Sequence, residues 1–370
     1  MAKESAPGKR QKLTRDILIN GTLALIVLIW IIPIIGLLVS SFRDRFEIQT
    51  SGWWTILPHK EMQMVEEFPI PDGLDSNGVM EIRGATGTFA EFRKGITNPQ
   101  GETIVWVGNK RLGVIQIQDE VWMMNTNFTL DNYKEVLGGQ EYEFKNPDGT
   151  TFTIKGNNLT RSFLNSLAIT IPAVAIPILI AAFAAYGFAW MRFPGRKFMF
   201  IIVIALLVVP LQIALVPILR DYVALNLNGT FLGVWLAHTG FGLALATYLL
   251  YGYISTIPRE ILESAFIDGA SHFTIFTKLV LPLSIPALAS FAIFQFLWVW
   301  NDYLVALIFI GAKPDVQVLT MRIAELVGSR GNDWHLLTSA AFIAMALPLL
   351  VFIGLQSYFV RGMMAGSVKG

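Results

Sequence analysis

The stretch Pro258–Pro286 reads PREILESAFIDGASHFTIFTKLVLPLSIP. It is a polar, acid-bearing segment between two long apolar runs. Pro258 suits the first turn of a helix, where its missing N–H costs nothing. Ile261, Leu262, Ala265 and Phe266 then fall on one stripe at helical spacing. Glu260, Glu263, Ser264 and Asp268 fall largely on the other face. Gly269 ends that helix or turns the chain sharply. Ser271 caps a second helix, Phe273–Val280, that runs to Pro282. The pattern predicts a helix, a Gly turn and a helix, with an apolar ridge rimmed by acids. Docking into a groove on another protein needs such a surface. The alternative is an amphipathic helix lying on lipid headgroups. Such helices usually carry Lys and Arg on the polar face, and this one carries mostly acids.

Outward from this island the chain is apolar. Of its 370 residues, 54% are hydrophobic and 15% are charged, with a mean hydropathy of +0.54. A soluble chain carries about 25% charge, and a bilayer span takes roughly 20 apolar residues. Six runs meet that length: Ile17–Ser41, Phe163–Trp190, Phe198–Leu219, Phe231–Ile254, Ile285–Ile310 and Leu337–Val360. The fold class is an all-α polytopic membrane protein of six transmembrane helices. The first run is too long for a signal-peptide core, and no small-x-small site follows Ser41, so it reads as a retained first helix. Cysteine is absent, which excludes disulfides and thiolate metal sites. The net charge of +1 points to no partner, and no basic face interleaved with aromatics points to nucleic acid.

Cations in short flanking segments set orientation. Lys3, Lys9, Arg10, Lys12 and Arg15 precede the first run; Arg192, Arg196 and Lys197 follow the second. Arg259 and Lys278 follow the fourth, and Arg361 and Lys369 follow the last. The opposite short loops hold only Arg220, Lys313, Arg322 and Arg330. Both termini and the Pro258 segment are therefore expected in the cytoplasm. The order is an N-terminal tail at 1–16, a first helix at 17–41, an extracytoplasmic insertion at 42–161, a five-helix core at 162–360 with a cytoplasmic loop at 255–284, and a cytoplasmic tail at 361–370. The insertion is polar, acidic and Gly-rich. Val79–Arg83, Thr103–Val107 and Val114–Gln118 alternate like short strands. Tyr142–Lys155 carries a hairpin-like turn at Asn146-Pro-Asp-Gly149. A small β-rich outer domain is expected, followed by a short surface helix, Phe128–Leu137, capped by Thr129 or Asp131.

Several short motifs resemble one family. Glu263-Ser-Ala265, then Asp268-Gly269-Ala270, then Leu281-Pro282-Leu283 resembles the EAA loop of ABC importer permeases, with Ser264 in place of the triplet's first alanine. Asn165-Ser166, Ala184-Ala185-Tyr186, Phe193-Pro194-Gly195-Arg196, Val209-Pro210-Leu211-Gln212, Trp300-Asn301-Asp302 and Gly366-Ser367-Val368-Lys369-Gly370 extend the likeness over Phe163–Gly370. The chain is similar to the maltose and alpha-glucoside sugar class. That resemblance implies one subunit of an importer in a bacterial inner membrane, moving a sugar such as an alpha-glucoside disaccharide. It implies a second permease as heterodimer partner, two ATPase subunits that bind ATP and Mg, and an extracytoplasmic solute-binding protein. It maps Glu263, Ala265 and Gly269 onto docking and hinge positions. Glu260, Ser264, Asp268 and Ala270 join the docking set, and Asp268 is expected to pair with an ATPase Arg or Lys. The tail Ala365–Gly370 is expected at the ATPase interface as well. The resemblance does not extend to the insertion Arg43–Arg161.

The chain's own chemistry is sparse. No G-x-x-x-x-G-K-[ST] phosphate loop occurs, and Gly8-Lys9-Arg10 lacks both the upstream glycine and the hydroxyl residue. No hydrolase or zinc motif occurs, and His59, His238, His272 and His335 are scattered without metal-ligand spacing. The chain is expected to hold no cofactor and to be no enzyme. Polar residues within spans are costly and are functional candidates by default. Gln295, Trp298, Asn301 and Asp302 stand out, with Gln295, Trp298 and Asp302 on one helix face at i, i+3 and i+7. They could line a sugar pathway, or Asn301 and Asp302 could pair with neighbouring helices. His238, Thr239 and Gly240 fit tight helix packing better than ligand binding. Gln212 near Pro210 and Pro217, and Pro172 with Pro177, mark expected kinks. An ion-coupled secondary transporter is the alternative, but it predicts matched inverted repeats, which are not evident. A membrane-anchored receptor would need neither six spans nor the docking segment.

Overall fold

The computed structural model describes residues 9–71, 74–139, 141–145, 150–155, 158–311, 313–330 and 333–364. The chain forms two compact units, one of Phe46–Phe128 and one of Met1–Arg45 with Thr129–Gly370. The helical unit contains α1 (Lys9–Phe42), while α2 (Arg45–Thr50) crosses the boundary into the smaller one. Among the described residues, four helices are long and apolar enough to cross a membrane: Lys12–Phe42, Leu159–Trp190, Phe231–Ile254 and Trp334–Phe359. Two bent pairs raise the number to as many as six.

The smaller unit is built on an antiparallel sheet of β1 (His59–Pro69), β4 (Ile96–Thr97), β5 (Thr103–Val107) and β6 (Val114–Met123), in the order β1-β6-β5-β4. A hairpin of β2 (Val79–Ile82) and β3 (Ala85–Thr88) lies beside it in sequence. Met80, Ile82, Phe92, Ile104, Trp106 and Ile115 form the core. The sequence pattern reveals β2, β5 and the start of β6. It misses β1, whose side chains are almost all exposed and so show no alternation. After β3 comes α3 (Phe89–Phe92), where the Glu91 carboxylate accepts the Thr88 N–H at 2.7 Å.

The insertion expected at 42–161 is thus divided: residues 129–161 cluster with the helices. The physical reason is α4 (Asp131–Gly138). Its Asn132 amide donates to the carbonyls of Ser41 at 2.9 Å and Arg43 at 2.8 Å, at the end of α1. Its Val136 packs with Leu159 and Leu336. The N-cap position falls on Leu130 rather than on Thr129 or Asp131, because the Leu130 carbonyl accepts the first helical N–H groups; the Thr129 hydroxyl accepts the Asp131 N–H at 3.0 Å just ahead of it. The strands β7 (Glu141–Lys145) and β8 (Thr151–Lys155) pair antiparallel as the hairpin pattern predicts. The Asn146–Gly149 turn lies outside the described residues.

The next helix, α5 (Leu159–Trp190), is one element through both Pro172 and Pro177. In the apolar environment proline is tolerated inside a helix where neighbours satisfy the freed carbonyl. It packs most extensively on α8 (Phe231–Ile254). Ala181, Ala182, Ala185 and Ala246 are fully buried where the two meet, because small side chains let backbones approach.

Two predicted runs are broken rather than straight. Phe198–Leu219 divides into α6 (Arg196–Leu206) and α7 (Leu211–Ala224), bent by 102°. Pro210 has no N–H to donate and disfavours helix at Val209, so the break falls there rather than as a kink beside Gln212. Ile285–Ile310 divides into α12 (Ile285–Trp300) and α13 (Leu304–Ile310). Ahead of α12 the segment His272–Leu283 is already helical, meeting it at 71°. It comprises α10 (His272–Ile275), a π turn at Phe276–Val280 and α11 (Leu281–Leu283). Pro282 lacks the N–H that would serve the Lys278 carbonyl, and the ladder widens across that turn. The chain closes with α14 (Leu319–Arg330) and α15 (Trp334–Met364). The tail Ala365–Gly370 lies outside the described residues.

Candidate functional site

The Pro258 segment forms a helical hairpin. Pro258 precedes α9 (Arg259–Ile267) in extended geometry, and Ser271 caps α10 by accepting the Thr274 N–H at 3.2 Å. Between them Gly269 has φ +80. The Ala270 N–H donates to the Ala265 carbonyl and the Gly269 N–H to the Phe266 carbonyl, both at 3.0 Å. That pair of bonds is a Schellman turn with glycine at the left-handed position.

The hairpin sorts its candidate residues into two faces. Glu260, Glu263, Ser264, Asp268 and Gly269 are exposed. Leu262 is buried, and Ala265 and Ala270 are half-buried against the same core. The apolar stripe expected as a free ridge therefore turns inward at Leu262 and Ala265, because both pack beside Ala182, Ala185 and Phe276. Only Ile261 and Phe266 of that stripe keep an exposed edge. The apolar groups that do project are Ile267, 87% exposed, and Phe273, 67% exposed, one on each side of the turn. Neither is marked by helical spacing alone, since one falls at a helix end and the other opens the next helix. His272, one of the scattered histidines, places its Nδ1 2.9 Å from the Tyr186 hydroxyl of α5.

Three of the four intramembrane candidates, Gln295, Trp298 and Asp302, meet at His238 of α8, while Asn301 stands apart. Gln295 is buried, and its amide donates to the carbonyls of Ala173 at 3.1 Å and His238 at 3.4 Å, tying α12 to α5 and α8. Asn301 ends α12 and donates to its own Leu297 carbonyl at 2.8 Å. Asp302 lies beyond the end of α12, so the shared face at i, i+3 and i+7 does not extend to it. Its carboxylate accepts the Ala306 N–H at 3.0 Å, which restarts the helix as α13, and lies 3.8 Å from His238 Nε2. Ser166, Thr170, His238 and Asp302 border a cavity of about 10 Å³, the room one water needs. Trp298 meets the His238 ring edge-on at 5.2 Å. Gln295 and Trp298 also border a larger, partly open cavity of about 550 Å³, lined as well by Leu207, Val209, Leu211 and Phe241. That lining is mostly apolar, which suits helix packing more than sugar hydroxyls.

The motif Asn165-Ser166 is a clamp on the segment that leads to α14. Asn165 donates to the carbonyls of Asp315 at 3.0 Å and Gln317 at 2.9 Å, and Ser166 accepts the Leu319 N–H at 2.8 Å. Among the described residues no cluster of three or more His, Cys, Asp or Glu could hold a metal ion.

Long apolar helices, sharply bent helix pairs and a cavity between helices are the parts of a polytopic transport protein. Residues 163–365 match the family described as the binding-protein-dependent transport system inner membrane component. The chain is 44% identical to the alpha-glucoside transport system permease protein AglG of Rhizobium meliloti (strain 1021), over 98% of this chain and 99% of that protein. It is 45% identical to the osmoprotective compounds uptake permease protein GgtD of Synechocystis, over 93% of this chain and 89% of that one. A crystal structure of a bacterial ABC transporter involved in alginate import shares the fold, with a TM-score of 0.62 and 15% identity, over 96% of this chain and 100% of that one. The chain belongs to the binding-protein-dependent transport inner-membrane components: it is an ABC importer permease.

Proposed function

We propose that this chain is one of two permease subunits of an ATP-driven importer that moves an alpha-glucoside disaccharide into the cell by alternating access. The observation that carries the energy source is the hairpin α9–Gly269–α10. It presents Glu260, Glu263, Ser264 and Asp268 outward in a chain without a phosphate-binding loop. Two separate ATPase subunits bind ATP and Mg and dock there, with Ile267 and Phe273 as apolar contacts beside the acids. The cation asymmetry supports six spans with both termini cytoplasmic. In that orientation the β-containing unit Phe46–Phe128 is extracytoplasmic, where a solute-binding protein delivers the sugar.

The alpha-glucoside reading rests on the near full-length match to a relative of that name. Reconstituting the complex with its ATPase, binding protein and partner permease, then measuring uptake of labelled maltose, sucrose and trehalose, tests the proposal. ATP-dependent uptake of at least one is expected. Uptake that ignores ATP and collapses with an ionophore would favour an ion-coupled carrier instead.

A further inference from the structure

We propose that Tyr186 and His272 form the strut through which motion of the docking hairpin is delivered to α5. The inference rests on reading the hairpin as the ATPase-docking element. Most of the hairpin's inward contact is apolar: Leu262, Ile275 and Phe276 pack against Ala182 and Ala185, and Phe276 stacks on Phe183 at 4.1 Å. Apolar packing is non-directional, so a face held that way can rock or slide. A hydrogen bond weakens steeply with distance and angle and fixes a relative position. Among the described residues, Tyr186–His272 is the side-chain hydrogen bond that joins α5 to the hairpin, at 2.9 Å.

Its placement suits transmission. Tyr186 is 3% exposed and lies one turn from the inner end of α5, the helix that packs along α8 and α12. A buried tyrosine hydroxyl needs a partner, so α5 is bound to follow His272. His272 sits just past the Gly269 turn and is itself exposed, on the side that faces out with Ile267 and Phe273. Its ring also meets Phe266 edge-on at 4.9 Å, so both arms of the hairpin bear on it. A push on the outward face thus reaches α5 through one directional contact. Tyr186 and His272 are positioning residues; neither is required to touch the sugar.

The test uses the reconstituted complex and reads two quantities: ATPase co-purification, and sugar molecules moved per ATP hydrolysed. Tyr186→Phe keeps the ring and removes the hydroxyl. His272→Leu removes the ring nitrogen, and His272→Asn restores a polar atom near the Nδ1 position. Tyr186→Phe and His272→Leu are each expected to keep ATPase co-purification within about twofold and to lower transport per ATP about tenfold. The double variant is expected to be no worse than either single one, as for residues acting through one contact. His272→Asn is expected to recover to within about twofold of the unaltered complex. An unchanged transport ratio in Tyr186→Phe, or additive losses in the double variant, would overturn the strut. Failure of the unaltered chain to retain the ATPase would instead overturn the docking reading beneath it.

Discussion

Gly269 occupies left-handed backbone, with φ +80, and a Cβ there would meet no neighbouring atom. The demand is therefore conformational rather than steric. A β-branched residue in that region costs about 1–2 kcal/mol, and such a cost changes a population about 5- to 30-fold. Gly269→Val is expected to lower ATPase co-purification by about that factor, while Gly269→Asn, which tolerates the conformation, stays near the unaltered level. Equal retention in both variants would show that the turn is not what shapes the interface. Gly242 is the opposite case, since an added Cβ would lie 2.7 Å from the Gln295 amide. Overpacking of this kind costs about 1–3 kcal/mol. Gly242→Ala is expected to lower the melting temperature of the detergent-solubilised protein, and adding Gln295→Ala to cost less than the sum of the two. Gly269 is legible in the sequence because a glycine between two amphipathic patterns has few other uses. Gly242 is not, because the residue that forbids a methyl group there lies on another helix.

At the scale of elements, each apolar run reveals that apolar helix forms but not its direction. Hydropathy counts composition, and a right-angle bend at Pro210 leaves the count unchanged. The second break is set by Asp302, whose carboxylate serves the Ala306 N–H; in sequence it reads equally well as a pathway acid. The hairpin's caps are legible because Pro258, Gly269 and Ser271 act locally, whereas the face that Leu262 and Ala265 choose depends on α5. The α3 turn allows a check on local electrostatics. The Thr88 backbone N–H, then its hydroxyl, hold the exposed Glu91 carboxyl below its ordinary 4.5. A carboxyl with a depressed folded value stabilises the turn above the unfolded value, and this contribution is lost as pH falls through the folded one. Carboxyl NMR titration is expected to place the Glu91 midpoint below 4.5, and Thr88→Ala to move it upward.

At the scale of the whole molecule, the helical unit is held at one end by α4, which ties the end of α1 to the beginnings of α5 and α15. Its hydroxyl contact Tyr133–Ser41, at 2.6 Å, and the bond from Ser339 to the Ser41 carbonyl, at 3.1 Å, meet at the same point. Replacing residues 46–125 with a short Gly-Ser turn is expected to leave the helical unit folded, by melting temperature and ATPase co-purification. Stimulation of ATP hydrolysis by the solute-binding protein is expected to fall, and unchanged stimulation would remove the smaller unit from any role in that encounter. The sequence separates this unit by its composition but does not reveal that α4 packs with the helices, because α4 is polar and short and its attachment is made by Asn132, Tyr133 and Val136 reaching residues distant in sequence.

The Thr129 N–H donates to the Phe42 carbonyl at 2.7 Å, just outside the points where the chain enters and leaves the smaller unit. The ends of everything between them are already joined. For the helices on either side, the intervening chain has the end-to-end span of a tight turn, whatever its length. Loop closure grows only logarithmically with length, and here the closing contact belongs to the host rather than to the guest. A fluorescent or affinity module joined at this junction would thus meet chain ends that the helical unit already holds together.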